Sequence, residues 1–156
     1  MPTTGAAELT ARAIIDASLY LVLATVDGTG RPWSSPVYFA HEGYAEFLWV
    51  SAPEAEHSLN IAARPQVGIV IFDSHAPIGT GQGVYLSATA EQVGSDDLTR
   101  GIETFSQRSI GHGGTAWTVK DVQAESGLRL YRATAESYSI LAKDGQPDHR
   151  IPAHLA

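Results

Sequence analysis

Between residues 19 and 142 the apolar positions fall in short runs rich in Val, Ile, Leu, Tyr, Phe and Trp, bounded by Gly, Asp, Pro and Ser. Runs of this kind read as β-strands. Residues 19–26 are apolar on both alternations, the pattern of a strand covered on both faces. Two turn signals, Asp27-Gly28-Thr29-Gly30 and His41-Glu42-Gly43, bound the following runs at 31–40 and 44–51. They predict two successive hairpins, and so three antiparallel strands. Residues 66–73 form a second continuous apolar strand. Residues 82–93 alternate, with Val84, Leu86, Ala88 and Ala90 on one side and Tyr85, Ser87, Thr89 and Glu91 on the other, as for a strand with one buried and one wet face. Residues 128–134 and 138–142 read as a last strand pair joined at Ala135-Glu136, with Arg129 and Arg132 pointing to opposite faces.

A longer rhythm predicts three helices. Residues 4–18 have Thr3 or Thr4 as a cap, Glu8 and Arg12 one turn apart, and Leu9, Ala13 and Ala17 on one face. Ser51-Ala52-Pro53-Glu54 reads as a capping box that opens a helix over 52–63 and stops before Pro65. Ser95 caps a third, short helix, with Asp96 and Asp97 in its first turn and Leu98, Ile102 and Phe105 on one face. Residues 74–81 and 109–115 read as irregular connections, a short helix follows Trp117, and the tail from Lys143 reads as surface coil. The helices are too few to separate parallel strands. The expected fold class is therefore mainly β: an antiparallel sheet of six or seven strands closed into a small barrel, which removes exposed edges.

Composition narrows the picture. With 156 residues, 44% of them hydrophobic, the chain suits one domain with a real core, about 14–142, and a coil tail. The formal charge is −7 and the ten basic residues are scattered, which argues against nucleic acid as a partner. The absence of cysteine removes disulfides, thiolate catalysis and thiolate zinc sites. No apolar run reaches the roughly 20 residues of a membrane span, and residues 1–18 lack the pattern of a signal peptide, so a cytoplasmic protein is expected.

Candidate chemistry is sparse. The six histidines lack metal-ligand spacing, and G-x-S-x-G is missing. Gly79-Thr80-Gly81-Gln82-Gly83 lies between two strands and reads as a turn, because a dinucleotide fingerprint must open a helix. More telling is the helix that begins where the third strand stops. Its free N–H groups suit an anion, and the hydroxyls of Ser34, Ser35, Ser51 and Ser58 lie nearby in sequence. Trp33, Trp49, Trp117, Tyr38 and Tyr85 together are suited to wall a flat conjugated ring. Tyr38, His57 and Tyr85 are candidate acids or bases.

The order LATVDGTGRPWSSPVYFA, then FLWVSAPEAEHSLNIAARPQVGIVIFD, then GQGVYLSATAEQV, resembles the pyridoxamine 5'-phosphate oxidase-like family of flavin-binding split barrels. The resemblance covers about residues 14–94, with an echo in LRLYRAT. It implies a homodimer with FMN in a cleft between subunits. The isoalloxazine ring would lie along Ser35, Pro36 and Val37, with third-strand contacts from Trp49, Val50 and Ser51. The phosphate would meet His57 with Ser58 beside it, Gln82 would reach across from the partner, and Arg129 would approach from the last strands. Ser35 and His57 stand where the oxidases commonly carry arginine and lysine, and their C-terminal substrate signature is missing. The resemblance thus implies an FMN-dependent oxidoreductase acting on an unknown small molecule other than vitamin B6. A reductase using the deazaflavin coenzyme, or a flavin- or haem-binding protein without turnover, are its alternatives.

Overall fold

A computed structural model describes residues 5–156. Its elements run α1 (Ala6–Ala17), β1 (Tyr20–Val26), β2 (Pro32–Tyr38), β3 (Ala40–Glu42), β4 (Glu46–Ser51), α2 (Glu56–Ala63), β5 (Gln66–Phe72), β6 (Gly83–Gln92), α3 (Ser95–Gly111), a 3-10 turn (Val119–Val122), β7 (Arg129–Leu141) and β8 (Arg150–Ala153). All eight strands join one antiparallel sheet in the order β2-β1-β5-β6-β7-β4-β3, with β8 paired to β7. Its two ends, β2 and β3, are halves of one stretch separated by Phe39 alone. The sheet therefore curls into a split barrel, as the sequence predicts. Among the described residues no helix is long and apolar enough to cross a membrane.

Inward-facing residues of every long strand fill the barrel. Leu21 and Leu23 of β1, Ile69 and Ile71 of β5, Val84 and Leu86 of β6, and Phe47 and Trp49 of β4 are buried there, and α1 closes one end with Ala11 and Ile15. A second apolar cluster lies outside the wall. There Leu98, Ile102 and Phe105 of α3 cover Ala40 of β3, Leu48 of β4 and Leu130 of β7. Half of the barrel's outer surface thus has a helix on it. The other half does not, and Tyr20, Val22 and Ala24 of β1 align there with Val70 and Gly68 of β5.

Several expectations need correction. The strand predicted over 31–40 is two strands, because at Phe39 the chain leaves β1 and turns to pair with β4. The predicted last pair is one strand: Glu136 is an extra residue in β7, opposite the junction of Ser87 and Ala88, so Ala135-Glu136 is a β-bulge and not a turn. Alanine and glutamate supply no positive-φ turn residue, which agrees with that outcome. Leu9 of α1 is 68% exposed, and the buried stripe is Ala11 and Ile15. The Thr3 or Thr4 cap lies outside the described residues. Ser95 makes no capping bond; Gly94 is the N-cap, and α3 runs on through Ser109 to Gly111. The tail is not coil: β8 extends the sheet, and Ala153 and Leu155 enter the core. Arg12 and Glu8 of α1 then hold its end through Leu155 O at 3.5 Å and His154 N at 3.1 Å.

This tail makes a test. Leu155 is 4% exposed, so Leu155→Ala should cost about 2–5 kcal/mol, as for other buried leucines. A urea titration should show the midpoint fall with an unchanged slope, whereas a solvated coil would leave both as they are.

Candidate functional site

The site is built where the barrel splits. Ser51 is the last residue of β4, and the sequence after it competes between helix and turn. Ala52-Pro53-Glu54-Ala55 folds as a turn, with Ala55 N donating to Ala52 O at 3.1 Å and Pro53 in the second position, which its fixed φ suits. Helix α2 therefore starts at Glu56 with Ala55 as its N-cap and no side-chain capping bond. The predicted Ser51 cap is not made. Its hydroxyl instead lies 2.8 Å from His57 Nε2. Burial holds the His57 imidazole below the ordinary histidine range, so it is neutral at pH 7.

Ser51 and His57 form one end of a cavity of about 610 Å³. Pro36, Val37 and Tyr38 of β2 and Val50 of β4 make one wall. The facing wall comes from far along the chain: Phe105 and Ser109 of α3, then His112, Gly114, Thr115 and Trp117 in the segment after it, and Leu128. Leu19 and Tyr20 stand at the side. No Lys, Arg, Asp or Glu lines it. The aromatic rings meet edge to face: Tyr38 with Phe105 at 5.5 Å between centroids, and Phe105 with Trp117 at 5.6 Å. The Tyr38 hydroxyl lies 2.8 Å from His112 Nδ1, and burial pushes that phenol above its ordinary range.

The segment after α3 is held and not loose. Ser109 Oγ donates to Thr115 O at 2.7 Å, Gly114 N donates to Ser109 O at 2.8 Å, and Trp117 N donates to Ser106 Oγ at 2.8 Å. A Cβ at position 114 would lie 2.6 Å from Ser109 Oγ and 3.1 Å from its carbonyl oxygen, so the fold needs glycine there.

Of the residues named from the sequence, Pro36, Val37, Tyr38, Val50, Ser51, His57 and Trp117 share this cavity. Ser35 lies on β2 and accepts a bond from Trp33 Nε1 at 3.0 Å. Trp49 is inside the barrel, stacked on Tyr131 at 6.0 Å, with no partner for its Nε1. Ser58 is buried on a separate groove beside Ile61 and Tyr131, with its hydroxyl also unpartnered. Gln82 bridges within the chain, accepting from Leu141 N at 2.8 Å and donating to Leu141 O at 3.0 Å. Arg129 spends its guanidinium on the carbonyls of Ala124, Ser126 and Leu128. Arg132 pairs with Glu46, Glu91 and Asp97. Tyr85 stands elsewhere, under the Arg150 guanidinium at 4.4 Å. On the α3 side of the cavity the sequence singles out Trp117 alone as a candidate wall. A further signal there is His112-Gly113-Gly114, where Gly113 has φ +81° and Gly114 the close approach.

The geometry fits known proteins. The pyridoxamine 5'-phosphate oxidase family profile matches residues 8–142. Similar solved structures include a haem-binding protein from Mycobacterium smegmatis (21% identity, TM-score 0.74, covering 95% of this chain and 58% of that one). Another is HutZ, a haem storage protein from Vibrio cholerae (23%, 0.64, 80% and 87%). A third is an F-420 reductase (18%, 0.61, 83% and 95%). The chain thus spans little more than half of the first of these. No curated protein matches it in sequence.

The neutral His57 yields a prediction. A histidine with a depressed folded-state pKa contributes stability that is full above the unfolded value, about 6.5, and lost as pH falls through the folded one. Melting temperatures from pH 8 to pH 5 should therefore fall more steeply for the wild type than for His57→Gln. Parallel curves would show that His57 is not buried in solution.

Proposed function

The chain belongs to the pyridoxamine 5'-phosphate oxidase family, and from that premise we propose that it is an FMN-dependent oxidoreductase acting on a small neutral molecule. The observation that carries the reading is the convergence of Pro36, Val37, Val50, Ser51 and His57 on one cavity that ends at the start of a helix. The residues present fit a flavin in an uneven way. Pro36, Val37 and Val50 offer flat apolar contact for the tricyclic ring. The phosphate end has the Ser51 hydroxyl and a neutral His57 in the first turn of α2, with no fixed cation. When bound, the flavin supplies the electron transfer, and the chain orients it and excludes water. Ser51 fixes the His57 ring by accepting or donating at Nε2, which leaves Nδ1 as the nitrogen open to a ligand.

The same reading makes the protein a homodimer. The outer faces of β1 and β5, with Tyr20 58% and Phe72 46% exposed, are apolar and bare in the single chain. A second copy covering them would close the cavity's open side. Light scattering should return twice the chain mass of 16.6 kDa, and Val70→Asp should return the monomer.

Haem binding without turnover is a second reading, favoured by one observation. His57 and His112 both line the cavity, each with one ring nitrogen tied to a hydroxyl and the other making no hydrogen bond among the described residues. Two of the structural neighbours are named for haem. Against it stands the lack of a cation for the propionates. A deazaflavin coenzyme, with its acidic tail, suits a charge-free cavity still less.

The test compares FMN with riboflavin. The ratio of FMN to riboflavin affinity at pH 8 reads what the phosphate end contributes without a fixed cation, through hydrogen bonds of about 1.5–3 kcal/mol each to a charged group. His57→Lys places a cation there and should widen that ratio by a further tenfold or so, as charged contacts are about twice as strong. For the wild type the gain on acidification begins only below the ordinary histidine range, because burial lowers the His57 pKa. If neither flavin binds, the reading fails.

A further inference from the structure

The α3 half of the cavity has no part in holding the flavin in the reading above. We propose that it is a binding subsite for a neutral, planar aromatic ring that carries a carbonyl or ring N–H at its edge. Three observations carry this.

The first is the wall. Phe105 and Trp117 present ring surfaces at right angles, and Tyr20 and Tyr38 continue the aromatic lining at 6.1 Å from each other. A flat ring finds edge-to-face contacts on several sides here. Phe105 is buried, whereas Leu19 and Leu128 at the mouth are 44% and 36% exposed. Apolar surface of this kind, gathered around a cavity, is what ligand burial removes from water.

The second is charge. With no acidic or basic side chain on the lining, a charged ring would lose its hydration with no opposite charge to replace it. The subsite therefore selects neutral ligands, although the chain as a whole carries −7.

The third is the hydrogen-bonding end, the Tyr38–His112 pair. If the phenol donates to Nδ1, then Nε2–H is left as a donor and the phenol oxygen as an acceptor. If Nδ1–H donates to the phenol, its O–H is the free donor and Nε2 the acceptor. Either tautomer presents one donor and one acceptor to the cavity, and so can serve a ring carbonyl or a ring N–H without change of charge. The raised pKa of Tyr38 keeps the phenol protonated throughout the neutral range. The Gly113–Thr115 segment, tied to Ser109, keeps His112 in reach.

The proposal refines the substrate class of the oxidoreductase reading and rests on that reading only for what occupies the other half. It can be tested without flavin. Calorimetric titration of the full chain would use 2-quinolone, a neutral two-ring lactam, and 2-quinolone-4-carboxylate, the same ring with a negative charge. The neutral ring should bind, and the carboxylate at least about tenfold more weakly, given the cost of burying an unpaired charge. Tyr38→Phe, which keeps the ring, should weaken 2-quinolone by about fivefold, the worth of one neutral hydrogen bond. Trp117→Leu should weaken both ligands, with the far-ultraviolet dichroism of each variant unchanged. Equal affinity for the two ligands, or 2-quinolone affinity unmoved in both variants, overturns the proposal. A chain that binds 2-quinolone but no flavin would keep the subsite and discard the oxidoreductase reading.

Discussion

The turn of the chain at Phe39 is the constraint on which the architecture depends. Strands β2 and β3 stand at the two ends of a path of seven strands, yet one residue separates them. Laid flat, seven strands at roughly 4.8 Å spacing would hold those ends about 29 Å apart. Two residue steps span at most about 7 Å. The sheet must therefore curl until its ends nearly meet, and Phe39 sits buried at that point, its N–H bonded to Leu19 O at 3.2 Å. The Arg108 guanidinium covers its ring at 4.6 Å and also caps the end of α1 through the carbonyls of Ile15 and Ser18. One arginine of α3 thus ties the helix that plugs the barrel to the residue that closes it.

The position of the cavity follows. Where β2 leaves the sheet toward β3, its last residues Pro36 to Tyr38 face the end of β4 across the split, with no strand between them to hydrogen-bond both. Helix α3 packs over β3, β4 and β7 but stops short of β1, so the cavity lies at the border between the covered and bare halves of the wall. Its chemistry is set by this border. Asp97 and Arg100 of α3 point the other way, where with Arg132 of β7 they join Glu42, Glu46 and Glu91 in one network. What remains for the cavity is aliphatic, aromatic, hydroxylic and imidazole.

The strands were legible because alternation in residues such as Val84 to Ala90 can only bury one face of a strand. The resemblance to the family, carried by the hairpin segments, named Pro36, Val37, Val50, Ser51 and His57, which share the cavity. Pattern reading failed where two local signals compete. Ser51-Ala52-Pro53-Glu54 satisfies both a capping box and a proline turn; the turn is what forms, and α2, held to β1 by the buried bond from Asn60 Nδ2 to Thr25 Oγ1 at 3.0 Å, starts later. The tail from Lys143 reads as coil, yet β8 pairs there with β7, and a strand at the border of a sheet tolerates the missing N–H of Pro152. Apart from Trp117, the α3 wall was illegible for another reason. His112, Gly114 and Trp117 come to Tyr38 from more than seventy positions away, and nothing local in SIGHGGTAW reports such a contact.

The central claim is that the seam of the curled sheet holds a flavin ring in a cavity without fixed charge. It is tested most directly by mixing the purified chain with equimolar FMN and haem, separating the protein by gel filtration, and recording its absorption spectrum. Flavin bands eluting with the protein, and lost in a Val50→Lys variant that places a charge in the cavity, are the predicted result. A colourless protein, or a Soret band alone, would contradict it.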